Sequence, residues 1–209
     1  MSIIISDSSA KTKILRAIMS DPEIVLLLKE KYVDDEIWKF CIERDPNLFK
    51  KMKHPNDEIC MYACTVDGAN LKHIKNKFRH IKITNAMCLA SVESNPRAIL
   101  YVPRSMINNE LKEIACMEDP SLIIHFDDLQ DDFIEKVIKE KPYAVKYVRK
   151  VSESFLCEMI KTTPTICTYF NKMTPKMIDV FRTCHPNYFT LYKGNIKCAD
   201  ENVGEKADA

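Results

Sequence analysis

The sequence predicts an all-α fold, an α-solenoid of about seven short two-helix repeats of roughly 22 residues, with an N-terminal capping helix. Two observations predict it. A short apolar segment that usually begins with Pro recurs along the chain, and a second apolar segment follows each copy after a residue suited to cap a helix. We expect one helical-repeat domain over residues 21–192, between a capping helix at 1–20 and a flexible polar tail at 193–209.

The N-terminal segment has the pattern of one amphipathic helix. Residues 8–20, SSAKTKILRAIMS, place Ile14, Ala17 and Ile18 on one face. We expect this face to cover the open end of the first repeat.

The first segment of each repeat, called A, is predicted as a helix of about seven or eight residues, too short to be stable alone. It begins at an anchor residue, where Pro is favourable because the N–H that it lacks has no partner in the first helical turn. An Asp, Asn or Thr before most anchors predicts an N-cap. The anchors of units 1–7 and of a last, unpaired A segment are Pro22, Pro46, Ala69, Pro96, Pro120, Pro142, Pro164 and Pro186.

The second segment, helix B, begins after its own cap. The third, fourth, seventh and eighth residues after the cap share one helical face, and they are apolar except for Ser91, Lys112 and Arg182. We predict that this face packs on the neighbouring units, since short helices need such support. The predicted caps are Asp34, Asn56, Thr84, Asn108, Gln130, Ser152 and Thr174.

Length varies only in the turn that leads from segment A to helix B. All of these turns lie on one edge of the predicted array, and insertions on one edge of a solenoid often mark its binding edge. The longest insertion is in unit 3, whose residues 71–83 read LKHIKNKFRHIKI.

This insertion carries the strongest candidate surface, which we call the basic surface. The window 50–82 contains eight basic and three acidic residues. Such a run can be an ordinary solvated face, a surface for an acidic protein partner, or a contact for nucleic-acid phosphates. The predicted partner-binding residues are Lys72, Lys75, Lys77, Phe78, Arg79, His80 and Lys82, with Lys50, Lys51 and Lys53 from the preceding unit.

Acidic residues dominate a later stretch. Residues 110–135 contain nine acidic side chains against Lys112 alone. The spacing and the Gly of a calcium-binding loop are missing, so we predict no metal there.

Six of the nine cysteines are predicted to be core residues. A zinc site at Cys60, Cys64 and His54 would lack its second half, and we expect no metal or cofactor. Reduced thiols indicate the cytoplasm. The inward positions of B hold Cys41, Cys60, Cys64, Cys88 and Cys116, and an A segment holds Cys167.

No catalytic pattern stands out from the repeat, so we predict that the protein is not an enzyme. The three glycines form no phosphate-binding loop. The net charge of +1 gives no overall attraction to nucleic acid or membranes. No apolar run approaches the roughly 20 residues that a membrane-spanning helix needs.

Three stretches resemble the short two-helix repeats found in many proteins of large bacteriophages and giant viruses. They are CLASVESNPRAILYVP (Cys88–Pro103), VIKEKPYAVKYVRKVSES (Val137–Ser154) and MIKTTPTICTYFNKMTPKM (Met159–Met177). The resemblance covers roughly residues 21–192, implies a repeat fold and a viral origin, and supplies no catalytic residues.

We therefore expect a non-enzymatic, virus-encoded protein-binding module that binds or inhibits a host factor in the host cytoplasm through the basic surface. Two alternatives stay open. One is a nucleic-acid-binding helical-repeat protein, and the other is a structural or self-assembling viral component.

Overall fold

A computed structural model describes residues 8–29, 32–192 and 194. Over these residues the protein is all-α, built from repeated short helices without a β-strand, as the sequence predicts. The chain divides into two compact bodies, Met1–Glu118 and Asp119–Ala209. The division lies between units 4 and 5. Residues 1–7 of the predicted cap and, except for Gly194, the whole predicted tail lie outside the described residues.

The first body begins with the predicted capping helix, Ser8–Ser20. Ile18 is fully buried in a core cluster with Val25 and Cys41, and Ile14 packs against this cluster. The helix therefore covers the apolar side of unit 1, as its amphipathic pattern predicts.

Helix B has the same length in every unit, ten residues. The predicted caps accept a hydrogen bond from the backbone N–H three residues later, as in Asn56 Oδ1 with Ile59 N at 2.8 Å. Gln130 is the exception, since its side chain makes no cap bond. The seven helices are Asp35–Arg44, Asp57–Val66, Asn85–Ser94, Asn109–Glu118, Asp131–Glu140, Glu153–Thr162 and Pro175–Cys184.

The predicted inward face of helix B is buried. In units 2, 3 and 4 all four positions are buried, including the polar Ser91 and Lys112. Arg182 in unit 7 is exposed. Two of the three polar exceptions to the pattern are thus core residues.

Six of the eight A segments are 3-10 helices, wound more tightly than the expected helix of seven or eight residues. Their hydrogen bonds join residues three apart, as in Leu48 N to Asp45 O at 3.0 Å. A period of three places Phe49 and Met52 on one side, and both are buried. Six-residue segments are Pro22–Leu27, Pro46–Lys51, Pro96–Tyr101, Pro120–His125, Pro142–Tyr147 and Pro164–Tyr169.

Each helix B passes into the next A segment through one shared residue. Asp45 ends the helix of unit 1 with its N–H on Cys41 O at 2.9 Å, and its carboxylate accepts from Asn47 N at 3.0 Å to begin the next segment. No extra turn is needed, which explains why the length varies only in the turn from segment A to helix B.

Unit 3 corrects the predicted register by one residue. Its A segment begins at Gly68 and not at Ala69, because Asp67 is the cap, and it continues as an α-helix over Leu71–Asn76. A Cβ at Gly68 would lie 1.9 Å from the backbone oxygen of Ser91. Any side chain there, Pro included, would therefore collide with helix B, which explains why this anchor lacks Pro.

The elements that pack most extensively belong to the same unit or to consecutive units. In the first body these are the B helices of units 2 and 3, and in the second body those of units 6 and 7. The second body ends with the last A segment, an α-helix at Pro186–Tyr192, whose Phe189 ring lies 5.8 Å from that of Phe181. None of the described helices has the length and apolar character to span a membrane.

Candidate functional site

The basic surface lies in the first body, on the A-to-B turns of units 2 and 3. Part of the stretch predicted as a turn is helical, so Lys72 and Lys75 lie on the helix Leu71–Asn76. The other residues of unit 3 follow in the turn that leads to Thr84. Every Lys and Arg of the predicted set is exposed.

Hydrogen bonds attach the long turn of unit 3 to unit 2. The Lys77 ammonium donates to the backbone oxygens of Lys50 at 2.5 Å and Met52 at 2.9 Å. Nε2 of His80 lies 3.2 Å from the backbone oxygen of Pro55. Lys77 and His80 therefore hold the turn in place, in addition to contributing to its surface.

Phe78 is not a surface residue, and its assignment to the partner-binding set is wrong. Its side chain is 1% exposed, and its ring packs edge-on against the ring of Phe49 with centroids 5.2 Å apart. Burying an aromatic ring against apolar neighbours outweighs the polar character of the surrounding sequence. The sequence signal was ambiguous, because one aromatic residue between cations suits a core contact as well as a surface contact.

Three cations of the basic surface have no hydrogen bond, ion pair or ring contact with any described residue. Lys75, Arg79 and Lys82 form no ion pair with any described residue. The others have contacts within the protein: Lys51 pairs with Glu23 at 2.6 Å, and the Lys72 ammonium lies 5.6 Å from the ring centre of Tyr101.

The pKa of His73, a residue outside the predicted set, reflects the electrostatic potential at the basic surface. Its side chain is half-buried. Burial lowers the pKa of His73 first, and the positive charges of Lys50, Lys72 and Lys77 lower it further. The imidazole is therefore neutral at pH 7, and the lysines of units 2 and 3 together produce a positive potential at one place.

The zinc alternative has no support in the geometry. Cys60 and Cys64 are fully buried, and burial raises the pKa of their thiols to about 12 and about 11. Cysteine binds zinc as a thiolate, and in this apolar setting both thiols keep their protons at pH 7. Within the ranges that the structure describes, no group of three or more His, Cys, Asp or Glu side chains could hold a metal ion.

Comparison with known proteins gives no relative. No protein-family model matches the chain, and no curated protein or solved structure shows significant similarity to it. The functional interpretation of the basic surface therefore depends on its own residues, their exposure and their charges.

Proposed function

We propose that the protein is a non-enzymatic binding module whose basic surface binds an acidic surface of a partner protein. The observation that carries this proposal is the group Lys75, Arg79 and Lys82, three exposed cations without an ion pair among the described residues. Such charges increase the association rate and the selectivity for a partner of opposite charge.

The placement of aromatic side chains favours a protein partner over a nucleic acid. Proteins that bind single strands use exposed aromatic rings on which bases stack. The one Phe, Tyr or Trp side chain of the basic surface, Phe78, is buried, and the Lys72 ammonium lies over the nearby Tyr101 ring. A protein partner is therefore favoured, and the experiment below distinguishes it from nucleic acid.

The resemblance to phage and giant-virus repeats extends the proposal to the kind of partner. A virus-encoded binding module without catalytic residues would act on a host factor in the host cytoplasm, by occupying or inhibiting it. This part of the proposal depends on the resemblance and not on the geometry.

A charge-reversal variant with a matched control tests the proposal. In K75E/R79E/K82E the unpaired cations become acidic, and in R104E/K136E/K172E three exposed cations elsewhere change in the same way. Tagged wild type and both variants capture partners from nuclease-treated host lysate. We expect wild type and control to recover the same partner and the first variant to recover at least about tenfold less.

Equal recovery of that partner by all three proteins would contradict the proposal. Binding to labelled DNA or RNA that falls log-linearly with salt, and that K75E/R79E/K82E loses, would assign the surface to nucleic acid instead.

A further inference from the structure

In the first body, each A segment packs between two helices. The segment Pro22–Leu27 of unit 1 contacts the capping helix before it and the helix B that follows it. Its Val25 lies in one core cluster with Ile18 of the capping helix and Cys41 of helix B. The A segments of units 2, 3 and 4 likewise contact the helix B before them and the helix B of their own unit. An A segment therefore has two apolar sides to bury.

The second residue after the anchor lies in the core of units 2–7. It is buried where it is apolar and also where it is polar, as Asn70 is in unit 3. In unit 1 the residue at this position, Ile24, is half-buried. The six buried residues are Leu48, Asn70, Ala98, Leu122, Ala144 and Ile166. In both bodies, the packing of the repeat thus removes this position from water.

The last A segment leaves the same position exposed. The helix Pro186–Tyr192 packs against helix B of unit 7, and no helix follows it within the described residues. Tyr188, the second residue after its anchor, is 49% exposed, and Leu191 is 77% exposed. Tyr192 is exposed as well, and residues three and four positions apart share one side of an α-helix. We call Tyr188, Leu191 and Tyr192 the terminal face.

The repeat shows which kind of element covers such a face. In each of the seven units it is an amphipathic helix B of ten residues, with mostly apolar side chains at the third, fourth, seventh and eighth residues after the cap. A helix of the same length and pattern would bury the apolar surface that the terminal face exposes to water.

The sequence of residues 195–209 does not have the pattern of helix B. In units 1–7 the cap of helix B follows the anchor by ten residues or more. A cap ten residues after Pro186 would place Asp200 and Gly204 at inward positions, and every longer spacing also places a charged residue there. Burying a charge is costly, and Gly weakens a helix. The sequence therefore favours a helix from another protein over these residues.

We propose that the terminal face binds an amphipathic α-helix of a partner protein, of the length of helix B and with apolar residues at the helix B spacing. The bound helix extends the stack by one element, as each repeat does on its neighbour. Tyr188 and Tyr192 contribute aromatic rings, which bury a large apolar area at an interface. This site belongs to the second body and is independent of the basic surface.

The probe is a fluorescein-labelled peptide with the sequence of residues 130–141, QDDFIEKVIKEK, in which all four inward positions are apolar. A peptide of this length is only marginally helical in water. A lactam bridge between Asp132 and Lys136, which lie on the polar side, therefore holds it in helical form. In the control peptide, Glu replaces Val137 and Ile138. Fluorescence anisotropy measures binding to the full chain.

The protein variants compare one repeat position at two places. Leu191→Glu puts a charge into the terminal face. Leu27→Glu makes the same change at the fifth residue after the anchor of unit 1, whose A segment already packs between two helices. Leu27 is 84% exposed, so both leucines lie outside the core and both variants should fold. The variant K75E/R79E/K82E separates this site from the basic surface.

Wild type, Leu27→Glu and K75E/R79E/K82E are expected to bind the peptide equally. Leu191→Glu should weaken binding at least tenfold, and the control peptide should bind at least tenfold more weakly. No binding by the wild type, equal binding of the control peptide, or equal weakening in Leu27→Glu would overturn the proposal. Weakening in K75E/R79E/K82E would place the peptide on the basic surface and would overturn it too.

Two further measurements detect a different occupant of the terminal face. A concentration-dependent dimer in sedimentation that Leu191→Glu abolishes would assign the face to a second copy of the chain. Protection of residues 195–209 from hydrogen exchange that Leu191→Glu removes would assign it to the chain's own C-terminal residues. Either result would overturn the proposal.

Discussion

Cys41, Cys60 and Cys64 place thiol groups in the core of the first body, where no solvent can stabilise a charged sulfur. Burial raises the pKa of the Cys41 thiol to about 11, as it does for Cys64, and that of Cys60 to about 12. At neutral pH these cysteines behave as small apolar side chains, which is the role that their position on helix B predicts.

These thiols predict a loss of stability at alkaline pH. In the unfolded chain a thiol loses its proton near pH 9.0, whereas in the folded protein it keeps the proton to about pH 11 or 12. Between these values the unfolded state binds fewer protons, so the free energy of unfolding falls as pH rises. The expected loss is roughly 1 kcal/mol per thiol at pH 10, and the stability is complete below pH 9.

Guanidinium unfolding at pH 7, 8.5 and 10 under reducing conditions measures this loss. Cys60→Ala removes one titrating thiol, so its stability should fall less steeply with pH than that of the wild type. Parallel pH profiles for the two proteins would show that the Cys60 thiol does not contribute.

At the scale of elements, helix B and segment A are distinguished by their caps. The cap of helix B accepts from the N–H three residues later, as Ser152 Oγ does from Phe155 N at 3.3 Å. In units 1–5 the cap of the A segment accepts from the N–H two residues later, as Asp119 does from Ser121 N at 3.1 Å, whereas Lys141 and Thr163 make no cap bond. The shorter reach accompanies 3-10 winding, and the longer one accompanies an α-helix.

The two caps of units 5 and 6 allow a matched test. Ser152→Ala removes the hydrogen bond to Phe155 N and should lower the free energy of unfolding by about 1 kcal/mol. Gln130→Ala should change it little, because the Gln130 side chain makes no cap bond. Denaturant unfolding followed by circular dichroism measures the free energy of unfolding of both variants. Equal losses would show that the hydrogen bond of the cap does not account for the effect of Ser152→Ala.

At the scale of the whole molecule, packing between neighbouring units predicts that a destabilising substitution affects its own unit and the adjacent units only. Gly68 is a tight contact point, since a Cβ added there would lie 1.9 Å from the backbone oxygen of Ser91 in the following helix B. A carbonyl group cannot move aside as a flexible side chain can. Gly68→Ala should therefore cost roughly 3 kcal/mol or more.

Hydrogen exchange measured by mass spectrometry tests where this cost appears. We expect Gly68→Ala to reduce protection in units 2–4 and to leave units 5–7 unchanged, since repeat units depend on their neighbours. Gly194→Ala is the control, because nothing lies within 4 Å of the added Cβ. Uniform loss of protection along the chain would contradict local packing.

The sequence by itself determined the repeat, the position of helix B and its capping residues. These features depend on side chains that act within about one helical turn, such as Asn56 on Ile59 N, so a local pattern reveals them. It also identified the exposed cations of the basic surface, because a charged side chain stays in water unless a partner compensates its burial.

Only the tertiary structure decided which residues of the basic surface face outward and at which residue unit 3 begins. Phe78 is buried because Phe49, far away in the sequence, offers its ring an apolar contact. The first residue of unit 3 is Gly because the backbone of Ser91 approaches it from the following helix. The first contact joins two units and the second joins segment A and helix B of unit 3, and a local sequence pattern contains no information about either distance.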